Sequence, residues 1–139
     1  MQAHLYLEGK FDEPQLVPVA GGTAVVYTRP SPRRGSDANQ DALAVFELGP
    51  QTGVLAVADG LGGHEGGEEA ARTALETLAE QLHSCAADDT LDDPIVSAIN
   101  QANAKLLTRS PTPATTLVVA IIHEGELRAY TVGDSELMV

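Results

Sequence analysis

Apolar residues in this chain recur at two different periods, and the order of those periods most constrains what it can fold into. Thr23 to Thr28 (TAVVYT), residues 42–48 (ALAVFEL) and residues 54–58 (VLAVA) are short runs rich in strand-forming side chains. Gly49-Pro50-Gln51-Thr52-Gly53 separates the last two, which predicts an antiparallel hairpin. Over about residues 66–83 the period changes. Ala71, Ala74, Leu75, Leu78 and Leu82 fall three and four apart, forming one apolar stripe along a helix. A second helix follows, with Asp93 as its cap and Pro94 in its first turn. Ile95, Val96, Ile99, Ala102, Leu106 and Leu107 keep helical spacing until Ser110-Pro111-Thr112-Pro113 stops it. Residues 115–122 (TTLVVAII) and 127–132 (LRAYTV) return to strand character around a turn at 123–126, and Glu136 to Val139 resumes it. The first 22 residues are weakly patterned, broken by Pro14, Pro18, Gly21 and Gly22. The order β-β-β, α-α, β-β-β predicts an α+β architecture, antiparallel sheet with helices packed outside it.

Length and charge narrow the function classes. A chain of 139 residues is one domain or a piece of one, and 43% apolar with 20% charged residues is ordinary globular composition. The longest apolar run, Leu117 to Ile122, is far short of the roughly 20 residues of a bilayer span. Met1-Gln2-Ala3-His4 has neither the basic start nor the apolar stretch of a secretory signal. Eight basic residues against twenty acidic ones give a net charge of −12, which repels nucleic acid and anionic membranes alike. The acidic run at residues 88–93 reads as a solvated loop. Cys85 is the only cysteine, so no internal disulfide forms, and a cytoplasmic location is expected.

Three aspartates share one context. Asp41 precedes a strand in Asn39-Gln40-Asp41, Asp59 ends one in Val57-Ala58-Asp59-Gly60, and Asp134 follows one in Val132-Gly133-Asp134-Ser135. Carboxylates that converge from strand ends repel one another unless a cation sits between them. Oxygen donors without His or Cys suit Mg²⁺ or Mn²⁺. Taken singly, each aspartate reads more simply as a turn residue accepting backbone N–H groups; jointly, beside the glycine cluster, that reading weakens. The glycines of Asp59-Gly60-Leu61-Gly62-Gly63-His64 could suggest a dinucleotide turn, but Asp59 would set a negative charge beside the pyrophosphate. No Lys-Ser/Thr follows them, which excludes a Walker A loop. Glycines that let backbone carbonyls approach a metal are the better reading.

Together these segments resemble a known family. Asn39-Gln40-Asp41-Ala42, Val57 to His64 with Gly67 and Ala70, Ala114-Thr115-Thr116-Leu117, and Val132-Gly133-Asp134-Ser135 are similar to the ordered motifs of the metal-dependent Ser/Thr phosphatases, the PPM or type 2C family, and match its bacterial branch best. The resemblance spans about residues 34 to 139. It implies a central antiparallel β-sandwich flanked by helices. It also implies hydrolysis of phosphoserine and phosphothreonine monoesters by water activated between two Mn²⁺ or Mg²⁺ ions, with a third ion in some complete sites. By position, Asp59 matches the aspartate that bridges both metals, Asp41 a ligand acting mostly through water, Gly60 a backbone-carbonyl ligand, and Asp134 the aspartate of the labile third site. Arg34, with Arg33 as second choice, matches the arginine that grips the substrate phosphate, a role suited to the guanidinium fork. The implied partners are a phosphoprotein substrate and, in bacterial relatives, an opposing Ser/Thr kinase.

The departures are also informative. Arg34 lies two residues further from Asp41 than in the commonest pattern, and Ser36 stands where the arginine would be. Leu61 occupies the position of the histidine that acts as general acid in animal members, and His64 reads as an ordinary surface histidine. Ala114 replaces a usual glycine. The family's remaining metal aspartates lie beyond Gly-Asp-Ser, and only five residues follow Asp134 in this sequence. The expectation is therefore that residues 1–139 form the N-terminal portion of one phosphatase domain, with residues 1–22 as a lead-in and the C-terminal part missing. The alternative is a pseudophosphatase or regulatory binding half-domain that has no activity alone.

Overall fold

The computed structural model describes residues 1–30, 39–61 and 66–139. Five strands come first: β1 (Gln2–Tyr6), β2 (Gln15–Val19), β3 (Gly22–Val26), β4 (Asp41–Gly49) and β5 (Thr52–Leu61). Two helices follow, α1 (Gly67–Leu82) and α2 (Asp92–Leu107), then β6 (Ala114–Thr115), β7 (Leu117–His123) and β8 (Glu126–Val132). The main sheet is antiparallel throughout, in the order β1-β4-β5-β7-β8, with the short β6 paired to the end of β5. β2 and β3 form a separate two-stranded ribbon. The α+β class, the β4–β5 hairpin and the helix pair agree with the sequence reading.

Strand alternation divides the side chains between two faces. Ala42, Ala44 and Phe46 of β4, Val54, Ala56 and Ala58 of β5, and Leu117, Val119 and Ile121 of β7 share one face. They meet Ala71, Leu75, Leu78 and Leu82 of α1, and Leu91, Ile95 and Ala98 complete that core from the side of α2. Alanines on the strands leave room for the leucines of α1, so large and small side chains interlock. Both helices thus lie on one face. On the other, Val17 and Val19 of the ribbon cover Val45. Beside them a groove of about 400 Å³ runs between the ribbon and the sheet, lined by Leu43, Leu55, Val57 and Val118 among others. Val57 stays 48% exposed, so the described residues cover this apolar face only in part.

Four local expectations need correction. The weakly patterned first 22 residues, expected as a lead-in, contain two strands. Pro18 is compatible with β2 because the ribbon has only two strands, and Val17 and Val19 are buried while Leu16 and Pro18 face out. β5 extends three residues past the expected strand, because Gly60 and Leu61 pair with β6. α2 begins one residue before Asp93, with Leu91 at the cap position and no capping side chain. Glu136 to Val139 forms no strand.

Asp92 is bound across the fold instead. Arg128 donates to it at 2.6 Å, and the Tyr130 hydroxyl donates to its other oxygen. That hydrogen bond, helped by desolvation and the carboxylate's charge, pushes the Tyr130 phenol above the usual tyrosine range. A folded-state pKa raised above the unfolded one stabilises at neutral pH, and the contribution is lost as pH rises above about 10. Tyr130→Phe is expected to lower stability by about 1 kcal/mol at pH 8. Between pH 8 and 11 the urea midpoint should fall more steeply in wild type than in the variant. Equal slopes would remove Tyr130 as the cause.

Candidate metal centre

Asp41 and Asp59 are direct cross-strand partners at the open end of the β4–β5 hairpin. By alternation they stand on the same sheet face as Leu43, Val45, Leu55 and Val57, away from the helices. Side chains opposed in this way have Cβ atoms about 4.5–5.5 Å apart, and two like charges there repel. Asp59 is exposed and Asp41 half-buried.

The backbone beneath each aspartate is fixed. Asp41 N–H donates to Asn39 Oδ1 at 3.2 Å. Asn39 is itself buried and donates to the Gly9 carbonyl at 2.7 Å and to Thr28 Oγ1 at 2.6 Å. Asp59 N–H donates to Thr116 Oγ1 at 3.2 Å, and the Asp59 carbonyl accepts from Thr116 N–H and Thr115 Oγ1, both at 2.9 Å. Gly60 N–H donates to the Gln40 carbonyl at 3.2 Å. A Cβ at Gly60 would lie 2.2 Å from the Gly67 carbonyl oxygen, so only glycine lets the first turn of α1 rest on this strand.

An opposed carboxylate pair on rigid, solvent-accessible strands fits a hard divalent cation, which removes the repulsion and prefers oxygen donors. Gly60 follows Asp59 directly. Asp134 is exposed beyond β8, and the neighbouring Ser135 hydroxyl lies 2.6 Å from Thr116 Oγ1, which accepts the Asp59 N–H. Among the described residues no three His, Cys, Asp or Glu side chains group closely enough to hold a metal. The structure therefore brings together Asp41, Asp59 and Gly60, and leaves Asp134 apart from them. Arg33, Arg34 and His64 lie outside the described residues. Asn39, Thr115 and Ser135 took no role in the sequence reading, and neither did Thr116. Their only signal was their place inside the Asn-Gln-Asp, Ala-Thr-Thr and Gly-Asp-Ser segments.

The family profile described as Protein phosphatase 2C matches residues 30–139, a span that contains all of these positions. The chain belongs to the protein phosphatase 2C family. Its fold is similar to that in the crystal structure of the Mycobacterium tuberculosis serine/threonine phosphatase PstP/Ppp, with a TM-score of 0.53 and 19% sequence identity. That match covers 96% of this chain and 47% of the mycobacterial one, so this chain spans about half the length of its structural relative. No curated protein matches it. In this phosphatase 2C chain the glycines at 60 and 67 serve a strand-to-helix backbone contact. No helix among the described residues is long and apolar enough to cross a membrane.

Proposed function

We propose that the chain carries part of the centre of a Mn²⁺- or Mg²⁺-dependent protein phosphatase acting on phosphoserine and phosphothreonine monoesters. The observation that carries this reading is the opposition of Asp41 and Asp59 on an accessible sheet face of a phosphatase 2C chain. Asp59 and Asp41 would hold the metal ions, with the Gly60 carbonyl and Asp134 as further oxygen donors. Bound there, the ions supply charge neutralisation for the phosphoryl group and lower the pKa of water. Arg34, or Arg33, would orient the phosphate through paired N–H donors. The substrate is then a phosphoprotein, and the chain opposes a Ser/Thr kinase in a cytoplasmic pathway.

Hydrolysis of p-nitrophenyl phosphate and of a phosphothreonine peptide should require Mn²⁺, stop with EDTA and return when Mn²⁺ is added back. Turnover that persists in EDTA would defeat the metal-dependent reading. A second reading, a pseudophosphatase or regulatory binding half-domain, is favoured by the absence of a three-ligand cluster among the described residues. It predicts Mn²⁺ or phosphopeptide binding without turnover in the same assays.

A further inference from the structure

We infer that Thr116 is a positioning residue that ties the Gly133-Asp134-Ser135 turn to Asp59, so that cation binding at the two aspartates is coupled through one buried hydroxyl. The inference rests on the reading of Asp59 and Asp134 as metal ligands.

Thr116 is 1% exposed and grips its neighbour at both ends of the residue. Its N–H donates to the Asp59 carbonyl at 2.9 Å, and its Oγ1 accepts the Asp59 N–H at 3.2 Å. The same Oγ1 lies 2.6 Å from Ser135 Oγ, one residue past Asp134. A hydroxyl that accepts from a backbone amide still has one proton and one lone pair, and here the remaining contact is to Ser135. The methyl side is used as well. A Cβ at Gly133 would lie 2.8 Å from Thr116 Cγ2, and Gly133 has φ +92°, so the turn is seated on the Thr116 side chain. A displacement of either aspartate's backbone therefore has a short, direct route to the other.

The side chain can be dissected. Valine keeps the shape of Thr116 but leaves the Asp59 N–H without its acceptor and frees Ser135. Serine keeps the hydroxyl and loses the methyl group. The full chain is titrated with Mn²⁺ alone while amide hydrogen exchange is followed at Asp59 and at residues 133–135. In wild type, Mn²⁺ should protect both segments. Thr116→Val should bind Mn²⁺ about 10-fold more weakly and lose the protection at 133–135, within the usual range of site-to-site coupling. Thr116→Ser should stay within about 3-fold of wild type, which shows that the hydroxyl matters and that the valine result is not simple loss of fold. In metal-free protein, Ser135→Ala should speed exchange of the Asp59 amide about 10-fold.

Unchanged Asp59 exchange in Ser135→Ala overturns the tie without any metal being involved. Thr116→Val with wild-type Mn²⁺ affinity, or with weaker affinity but intact protection at 133–135, overturns the coupling. If the coupling is present and no phosphomonoester is hydrolysed, the phosphatase reading fails while this inference stands.

Discussion

Asp59→Asn is expected to abolish the Mn²⁺ response of this chain while leaving the metal-free protein no less stable. Asparagine matches aspartate in shape and keeps one oxygen donor, but it removes one of two charges that face each other across β4 and β5. Without metal, that removal relieves repulsion, so the melting temperature in EDTA should hold or rise. With metal the sign reverses. A ligand bound at 100 times its Kd stabilises the native state by about 2.7 kcal/mol, so wild type should melt higher in Mn²⁺ and the variant should not. Loss of a supporting contact to a metal ligand costs about 10–100-fold in affinity or activity, so loss of the ligand itself should lower Mn²⁺-dependent turnover by at least about 100-fold. Melting curves with and without Mn²⁺, beside a p-nitrophenyl phosphate assay, check all three statements. A variant that melts like wild type under both conditions and retains turnover would remove Asp59 from the centre.

Gly60→Ala should be severely destabilising, because among the described glycines it has the closest approaches to backbone atoms. The added carbon would sit 2.2 Å and 2.3 Å from the oxygen and carbon of the Gly67 carbonyl, and 2.7 Å from the Gln40 oxygen. All three are backbone atoms, held by α1 on one side and by the entry to β4 on the other, so no side chain can swing away. Either α1 lifts from the sheet or β5 bends. A loss of about 3 kcal/mol or more is expected, the upper end of overpacking effects. Gly125→Ala is the control. Nothing lies within 4 Å of its added carbon, although φ is +82°. It should cost about 1–2 kcal/mol from backbone strain alone. Urea unfolding of both variants decides the matter. Equal losses would mean that the contact between Gly60 and Gly67 is looser than its geometry indicates.

The amphipathic and β-branched segments were legible because their burial repeats with the period of the element. The stripe from Ala71 to Leu82 is the helix face that meets the sheet. Ala42 to Phe46 reads as a continuous apolar run because both faces of β4 are buried there. β2 was hidden because Pro18 suggests a break, and only the pairing with β3 shows that a two-stranded ribbon accommodates it. The apolar run over 54–58 closes at Asp59, and the glycine that follows is a poor strand former, so no local pattern carries β5 on to Leu61. Its last residues are held by β6, a partner distant in sequence. Asp93 is not the cap because α2 already starts at Asp92, whose carboxylate is held by Arg128 and Tyr130, more than 30 residues away. At the centre, residue types and motif order pointed to Asp41 and Asp59, but their direct opposition is a matter of register that no local pattern encodes. The hydroxyls of Thr115, Thr116 and Ser135 were invisible as functional groups because their partners are backbone atoms and one another.

The β4–β5 register has a consequence for accuracy. Strands cannot slide by fractions of a residue; they move in steps of about 3.3 Å, and each single step turns every side chain to the opposite face. A single slip of β4 would expel Phe46 from beneath the helices and drive Asp41 into their place. The alignment that packs the interior is thus the same one that brings the two carboxylates opposite each other. Divalent-ion coordination tolerates errors of only about 0.2 Å, a margin that a rigid backbone helps to meet. Here it is inherited from a digital setting of the sheet, checked by the size of one phenyl ring.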